Sequence, residues 1–180
     1  MIRIVIAEDQ EMLLGVLGSL LNLEEDMEVV GQARNGEEAL TLVHQLKPDV
    51  CIMDLEMPVM NGLEAAKTLM PVCKVIILTT FVRTGNFSSA LKAGVRGYLL
   101  KDSPSKELIH SIRRIIDGQH MYSPELIEDD LNDPEQGFKG LDLLNKRQLA
   151  NEVSNHPRNK NRTVRNYFST IINKMKLPTG

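Results

Sequence analysis

The chain reads as a doubly wound α/β protein built on a five-stranded parallel sheet, with a small all-α segment after it. Three observations predict this. Short apolar runs rich in Ile and Val recur at 2–7, 27–33, 50–53, 75–78 and 97–100, as expected of parallel strands covered on both faces. Segments of helical period separate several of them, which is the alternation of a βαβ chain. The 180 residues, 42% hydrophobic and 25% charged, admit one medium domain or two small ones. That composition excludes collagen-like, disulfide-scaffold and fully disordered classes.

Taken in order, the first strand runs into Glu8 and Asp9 too early for a secretory signal. Leu13, Val16, Leu17, Leu20 and Leu21 then share one helical face. After the second strand, Ala39, Leu42, Val43 and Leu46 share another, in a helix expected to end before Pro48. Beyond the fifth strand, Ser103 offers an N-cap, Pro104 a first helical position and Glu107 an early acid. The helix they open aligns Leu108, Ile112, Ile115 and Ile116 and should stop at Gly118. No apolar run approaches the ~20 residues of a membrane span, so no membrane insertion is expected. Cys51 and Cys73 sit in or beside apolar runs without metal-ligand spacing. They read as reduced core thiols of a cytoplasmic protein.

Open α/β sheets carry their chemistry at the carboxyl ends of the strands. Those ends hold Glu8 and Asp9, Asp54, Thr79 and Thr80, and Lys101. Singly, each has an ordinary reading as a helix cap or a solvated end. Together they place three carboxylates, a hydroxyl and an ammonium on one rim. Close carboxylates repel unless a cation neutralises them, and hard oxygen ligands suit Mg²⁺. A carboxylate beside Mg²⁺ can attack a phosphoryl group to form an acyl phosphate. The metal and Lys101 would offset charge on the equatorial oxygens.

Residues 1–118 resemble the receiver domain of two-component response regulators. The likeness rests on Ile-Ala-Glu8-Asp9, on Met53-Asp54-Leu-Glu-Met57-Pro58 with Gly62 four residues on, on Leu78-Thr79-Thr80, and on Gly94-Val-Arg-Gly97-Tyr98-Leu-Leu-Lys101. It implies the flavodoxin-like receiver fold and a non-enzymatic signalling role. It further implies Asp54 as phosphoacceptor and Glu8, Asp9, Asp54 and the Met57 backbone as the Mg²⁺ site. Lys101 would contact the phosphoryl group, and Thr79 with Tyr98 would form the conformational switch. Counting back from Lys101 favours Thr79 as the switch hydroxyl, with Thr80 the alternative. Asp102 follows the lysine where most receivers carry proline; this is similar to the subfamily with LuxR-type (NarL/FixJ) helix-turn-helix outputs. Within it, Glu8-Asp9-Gln10, Met12-Leu13-Leu14-Gly15 and Lys101-Asp102-Ser103-Pro104-Ser105 look most like the membrane-desaturase (DesR-type) regulators. A sensor histidine kinase as partner and a homodimer on phosphorylation are implied, with Leu14, Ile109 and Arg113 as candidate interface residues and a core role the equally open reading for Leu14 and Ile109. The alternative for this unit is a haloacid-dehalogenase-like phosphohydrolase, but Glu56 stands where that family resembles Asp-x-Asp.

Charge sets the second unit apart. Residues 1–138 carry a net −10 and residues 139–180 a net +7, within a whole-chain charge of −3. A basic segment behind an acidic body suggests a polyanionic partner. Residues 119–138, with Pro124, Pro134, Gly137 and an acidic run at Glu128, Asp129 and Asp130, read as linker, with a short helix capped by Ser123 at its start. In 162–177, Val164, Tyr167, Phe168, Ile171, Ile172 and Met175 form an apolar stripe. Arg165, Asn166 and Lys174 lie on the other side, suited to phosphates and base edges. This resembles a LuxR-type recognition helix and implies DNA contacts from Arg158, Lys160, Arg162, Thr163, Arg165, Asn166 and Lys174. The family's Leu-Thr-x-Arg-Glu scaffold helix is unrecognisable in 134–148, and the turn before the recognition helix is long. The region 139–180 therefore reads as a degenerate, truncated helix-turn-helix. Two functions stay open: a phosphorylation-controlled DNA-binding transcription regulator, or a receiver-only phosphate switch or sink.

Overall fold

The computed structural model describes residues 1–80 and 85–125. Among the described residues, six strands and five helices alternate: β1 (Ile2–Ala7), α1 (Glu11–Leu21), β2 (Met27–Ala33), α2 (Gly36–Leu46), β3 (Val50–Asp54), α3 (Gly62–Leu69), β4 (Lys74–Thr79), α4 (Asn86–Lys92), β5 (Gly97–Leu100), α5 (Ser105–Ile116) and β6 (Met121–Tyr122). The strands form one sheet in the order β2-β1-β3-β4-β5-β6, every pairing parallel. The five expected strands are all present. The sixth, from the stretch read as linker, extends the sheet beyond β5.

The apolar runs follow from burial on both faces. Ile4, Ile6, Ile52, Ile76 and Leu78 pack with Leu13, Leu17 and Leu21 of α1 and Leu108, Ile112 and Ile115 of α5. The alternate residues Val5, Ala7, Cys51, Met53, Val75 and Ile77 pack with Ala39 and Val43 of α2, Ala65 and Leu69 of α3, and Phe87 and Ala90 of α4. Each fully buried Ile or Leu contributes roughly 1.5–3 kcal/mol, so the central strands are held from both sides. Burial also pushes the Cys51 thiol well up and the Cys73 thiol up to about 11. Both stay protonated and unreactive at neutral pH, as the core-thiol reading expects.

Several expectations need correction. The last helix starts at Ser105 with Pro104 in the N-cap position and no side-chain cap; Ser103 is buried instead. Its end at Gly118 is as expected, with φ at 90° in the left-handed region that glycine tolerates. Of the candidate interface residues, Leu14 and Ile109 take the core role that is the other open reading, 5% and 7% exposed. Arg113, the third, keeps a partly exposed side chain and also pairs within the chain: Nε donates to Asp26 Oδ2 at 2.8 Å, and Nη2 donates to Asp26 Oδ1 and Glu24 Oε2, each at 2.7 Å. This fork ties α5 to the turn before β2. Ser123 stands directly before the helical residues 124 and 125, and its hydroxyl accepts from Leu100 N; the rest of the short helix expected there lies outside the described residues.

Candidate functional site

Parallel pairing sets the strand ends level. Ala7 lies beside Met53, Asp54 beside Leu78, and Thr79 beside Leu100. The residues that end or follow these strands therefore meet on one rim. Glu8 is 1% exposed, Asp54 7% and Lys101 6%, while Asp9 faces solvent. Carboxylate oxygens of Glu8, Asp9 and Asp54 lie within 4.8 Å of one another. Lys101 Nζ bridges the two buried acids, 2.7 Å from Glu8 Oε2 and 2.9 Å from Asp54 Oδ2.

The electrostatics follow from that geometry. Burial raises the carboxyl pKa of both Glu8 and Asp54, and the neighbouring Lys101 ammonium opposes the rise in each. Three ionised carboxylates and one ammonium leave a formal charge of −2. A divalent cation with hard-oxygen preference matches both this charge and the donor set. Met57 lines an open cleft of about 560 Å³ together with Asp9, Glu56, Pro58, Asn61 and Asn86. The cleft opens the acidic cluster to solvent on the Asp9 side.

The loop after β3 is held from three directions. Gly62 N donates to Leu55 O at 3.0 Å, and Gly36 N donates to Met60 O at 3.1 Å. Asn61 caps α3: its Oδ1 accepts from Glu64 N at 2.9 Å while its Nδ2 donates to Glu64 Oε2 at 3.0 Å. Between them Met60 N donates to Pro58 O at 2.7 Å, a three-residue γ-turn with Val59 at φ 66°. A β-branched residue in this region costs about 1–3 kcal/mol, and the surrounding hydrogen bonds hold it there.

The two candidate switch hydroxyls separate clearly. Thr79 closes β4 and is 3% exposed, whereas Thr80 lies outside the strand and is exposed. Lys101 N donates to Thr79 O at 2.8 Å, so the lysine and this threonine share one backbone link. Tyr98, 1% exposed, lies in β5 with its ring 6.0 Å from that of Phe87. Phe87 also meets Tyr122 edge-on at 5.3 Å. Sequence reading missed Phe87, since it carries no motif and sits at no strand's carboxyl end. Arg158, Lys160, Arg162, Thr163, Arg165, Asn166 and Lys174 lie outside the described residues.

A five-stranded core ordered 2-1-3-4-5, with this acidic rim at its carboxyl edge, is the receiver fold of phosphorylation-dependent signalling proteins. Residues 4–113 match the response regulator receiver domain family, and the chain belongs to that family. It is 53% identical to the transcriptional regulatory protein DesR of Bacillus subtilis, over 98% of this chain and 92% of that one. It is 52% identical to the uncharacterized transcriptional regulatory protein YvfU of the same organism, over 97% and 91%. Among solved structures, a LuxR-family DNA-binding response regulator from Staphylococcus aureus superposes with a TM-score of 0.62 at 37% identity, over 64% of this chain and 99% of that one. These likenesses agree with the resemblance read from the motifs. No described helix is long and apolar enough to cross a membrane.

Proposed function

We propose that Asp54 accepts a phosphoryl group from a partner sensor histidine kinase, and that phosphorylation controls DNA binding and transcription. The carrying observation is the acceptor's setting: a buried carboxylate at the end of β3, 2.9 Å from Lys101 Nζ, with Glu8 and Asp9 alongside. In the transfer, an Asp54 oxygen attacks phosphorus, the phosphorus–nitrogen bond of the phosphohistidine breaks, and its electron pair returns to the imidazole. Glu8, Asp9, Asp54 and the Met57 carbonyl would hold Mg²⁺, which supplies charge neutralisation for the equatorial phosphoryl oxygens when bound. Lys101 moves its bond from Asp54 to a phosphoryl oxygen. The Thr79 hydroxyl, at the neighbouring strand end, donates to another. That differential contact biases the Tyr98 side of the sheet toward a second state.

In this reading, residues 1–118 are the receiver, 119–138 the linker and 139–180 a reduced helix-turn-helix. Arg158, Lys160, Arg162, Thr163, Arg165, Asn166 and Lys174 meet the DNA, and the phosphorylated chain is a cytoplasmic homodimer. The relatives named as transcriptional regulators support the DNA-binding role over most of the chain's length. The test combines acetyl phosphate with Mg²⁺. Wild-type protein gains one phosphoryl group by intact mass, the Asp54→Asn protein gains none, and phosphorylation raises affinity for a specific duplex over a random-sequence competitor. Undiminished labelling of Asp54→Asn rejects the acceptor. Labelling without any DNA preference leaves a receiver-only phosphate switch.

A further inference from the structure

Residues 119–123 come after the last receiver helix, and 121–123 are stitched to β5 and to the residue before it. Met121 N donates to Arg96 O at 3.0 Å, and Ser123 N donates to Tyr98 O at 3.0 Å. The ladder's next acceptor is a side chain: Ser123 Oγ accepts from Leu100 N at 3.1 Å in a buried bond. A hydroxyl thus accepts from the Leu100 amide where a backbone carbonyl of an added strand would, and it closes the outer edge of β5. Ser123 is 2% exposed and Tyr122 7%. The Tyr122 hydroxyl donates to Val95 O at 3.3 Å.

What these bonds hold is the strand that leads to Lys101. The Leu100 amide faces Ser123, and the next amide, that of Lys101, faces Thr79 O. Lys101 then bridges Glu8 and Asp54 through its side chain. One peptide unit therefore separates the acceptor's ammonium from the serine where the chain leaves the sheet. On the aromatic side, Phe87 lies between Tyr98 and Tyr122, so a change in Tyr98 meets Tyr122 through a single ring.

We infer that Tyr122 and Ser123 form a latch that carries the state of the Asp54 site to the segment beginning at residue 126. Ser123 is a positioning residue, acting through the Leu100 amide. When Lys101 leaves Asp54, the end of β5 shifts against β4, and Leu100 N–H changes its fit to the Ser123 hydroxyl. The latch then opens or tightens with the acceptor, and no contact from an α4 or α5 face is required. The inference rests on Asp54 as acceptor.

Hydrogen exchange by mass spectrometry on the full chain, with beryllofluoride and Mg²⁺ as the probe, tests both levels separately. In wild-type protein the probe should alter exchange at 53–57, which reports its binding, and also at 97–101 and 119–125. Ser123→Ala should keep the 53–57 response, exchange roughly tenfold faster at 119–125 without the probe, and lose the response there. Ser123→Thr, which retains the hydroxyl, should restore it. Tyr122→Phe is the milder second variant, removing the bond to Val95 O while keeping the ring, and should weaken the 119–125 response. A wild-type response at 53–57 with none at 119–125 overturns the latch. So does a wild-type-like response at 119–125 in both Ser123→Ala and Tyr122→Phe. Absence of any response at 53–57 instead rejects the acceptor assignment, and the latch with it.

Discussion

One added methyl group at Gly62 tests how the turn between β3 and α3 holds Asp54. A Cβ at this position would lie 2.2 Å from Asp54 O, 3.1 Å from Asp54 C and 3.2 Å from Leu55 Cα. All three are backbone atoms, so no rotamer change relieves the overlap. Real Cβ atoms essentially never come within 3.0 Å of such neighbours, so the start of α3 must retreat by at least about 0.8 Å. That retreat strains the Gly62 N–H bond to Leu55 O, now 3.0 Å. Overpacking costs about 1–3 kcal/mol and a weakened hydrogen bond up to ~1 kcal/mol, against a helix-propensity gain of at most ~1 kcal/mol. Gly62→Ala should therefore destabilise the receiver by about 1–3 kcal/mol and, on the proposed acceptor role of Asp54, slow its phosphorylation. Gly15, exposed in α1, has nothing within 4 Å of its Cβ position. The same substitution there should stabilise by ~0.5–1 kcal/mol. Urea unfolding of both variants gives the two signs directly. A Gly62→Ala protein as stable as wild type, or a Gly15→Ala protein less stable, refutes the reasoning.

Other perturbations have signs set by the same structure. Ser111 is 0% exposed and its hydroxyl has no hydrogen-bond partner among the described residues, so Ser111→Ala should raise the urea midpoint by an amount worth about 1 kcal/mol; a lowered midpoint would show that the hydroxyl is satisfied. Burial first, and then the Arg96 charge, lower the His120 pKa from its ordinary 6.5, and His120 Nε2 lies 2.9 Å from Arg96 Nη1. The unfolded chain thus takes up this proton first: the contribution is present above pH 6.5 and is lost as pH falls through the lower folded value. The urea midpoint of wild type should drop more steeply than that of His120→Gln across this window, and parallel profiles would reject the effect. Arg113→Ala should cost no more than ~1 kcal/mol, because the Arg113 side chain is 42% exposed and solvent screens its pairs. The loss should shrink in high salt, and a larger, salt-independent loss would assign Arg113 a packing role instead.

Much of the receiver was legible in the linear chain for a local reason. A strand covered on both faces must be apolar at successive positions, and β1, β3 and β4 show this by sending alternate residues into two separate cores. Their bounds differ from expectation only at Asp54, Lys74 and Thr79, polar residues that still take ladder positions. The site was legible because parallel strands deliver their last residues to one rim, which marked Glu8, Asp9, Asp54, Thr79 and Lys101. Helices α3 and α4, eight and seven residues long, are too short to display a period. The two-residue strand β6 displays none, and it exists because β5 has an open edge for it to pair with. Likewise Ser103 looked like a cap until packing buried it. Sequence periodicity determined which face each segment buries, since that depends only on neighbours along the chain. The Lys101 bridge, the Arg113 fork and the Ser123 bond to Leu100 depend on which charges and strand edges the packed sheet brings within hydrogen-bond reach, and tertiary structure alone decided those.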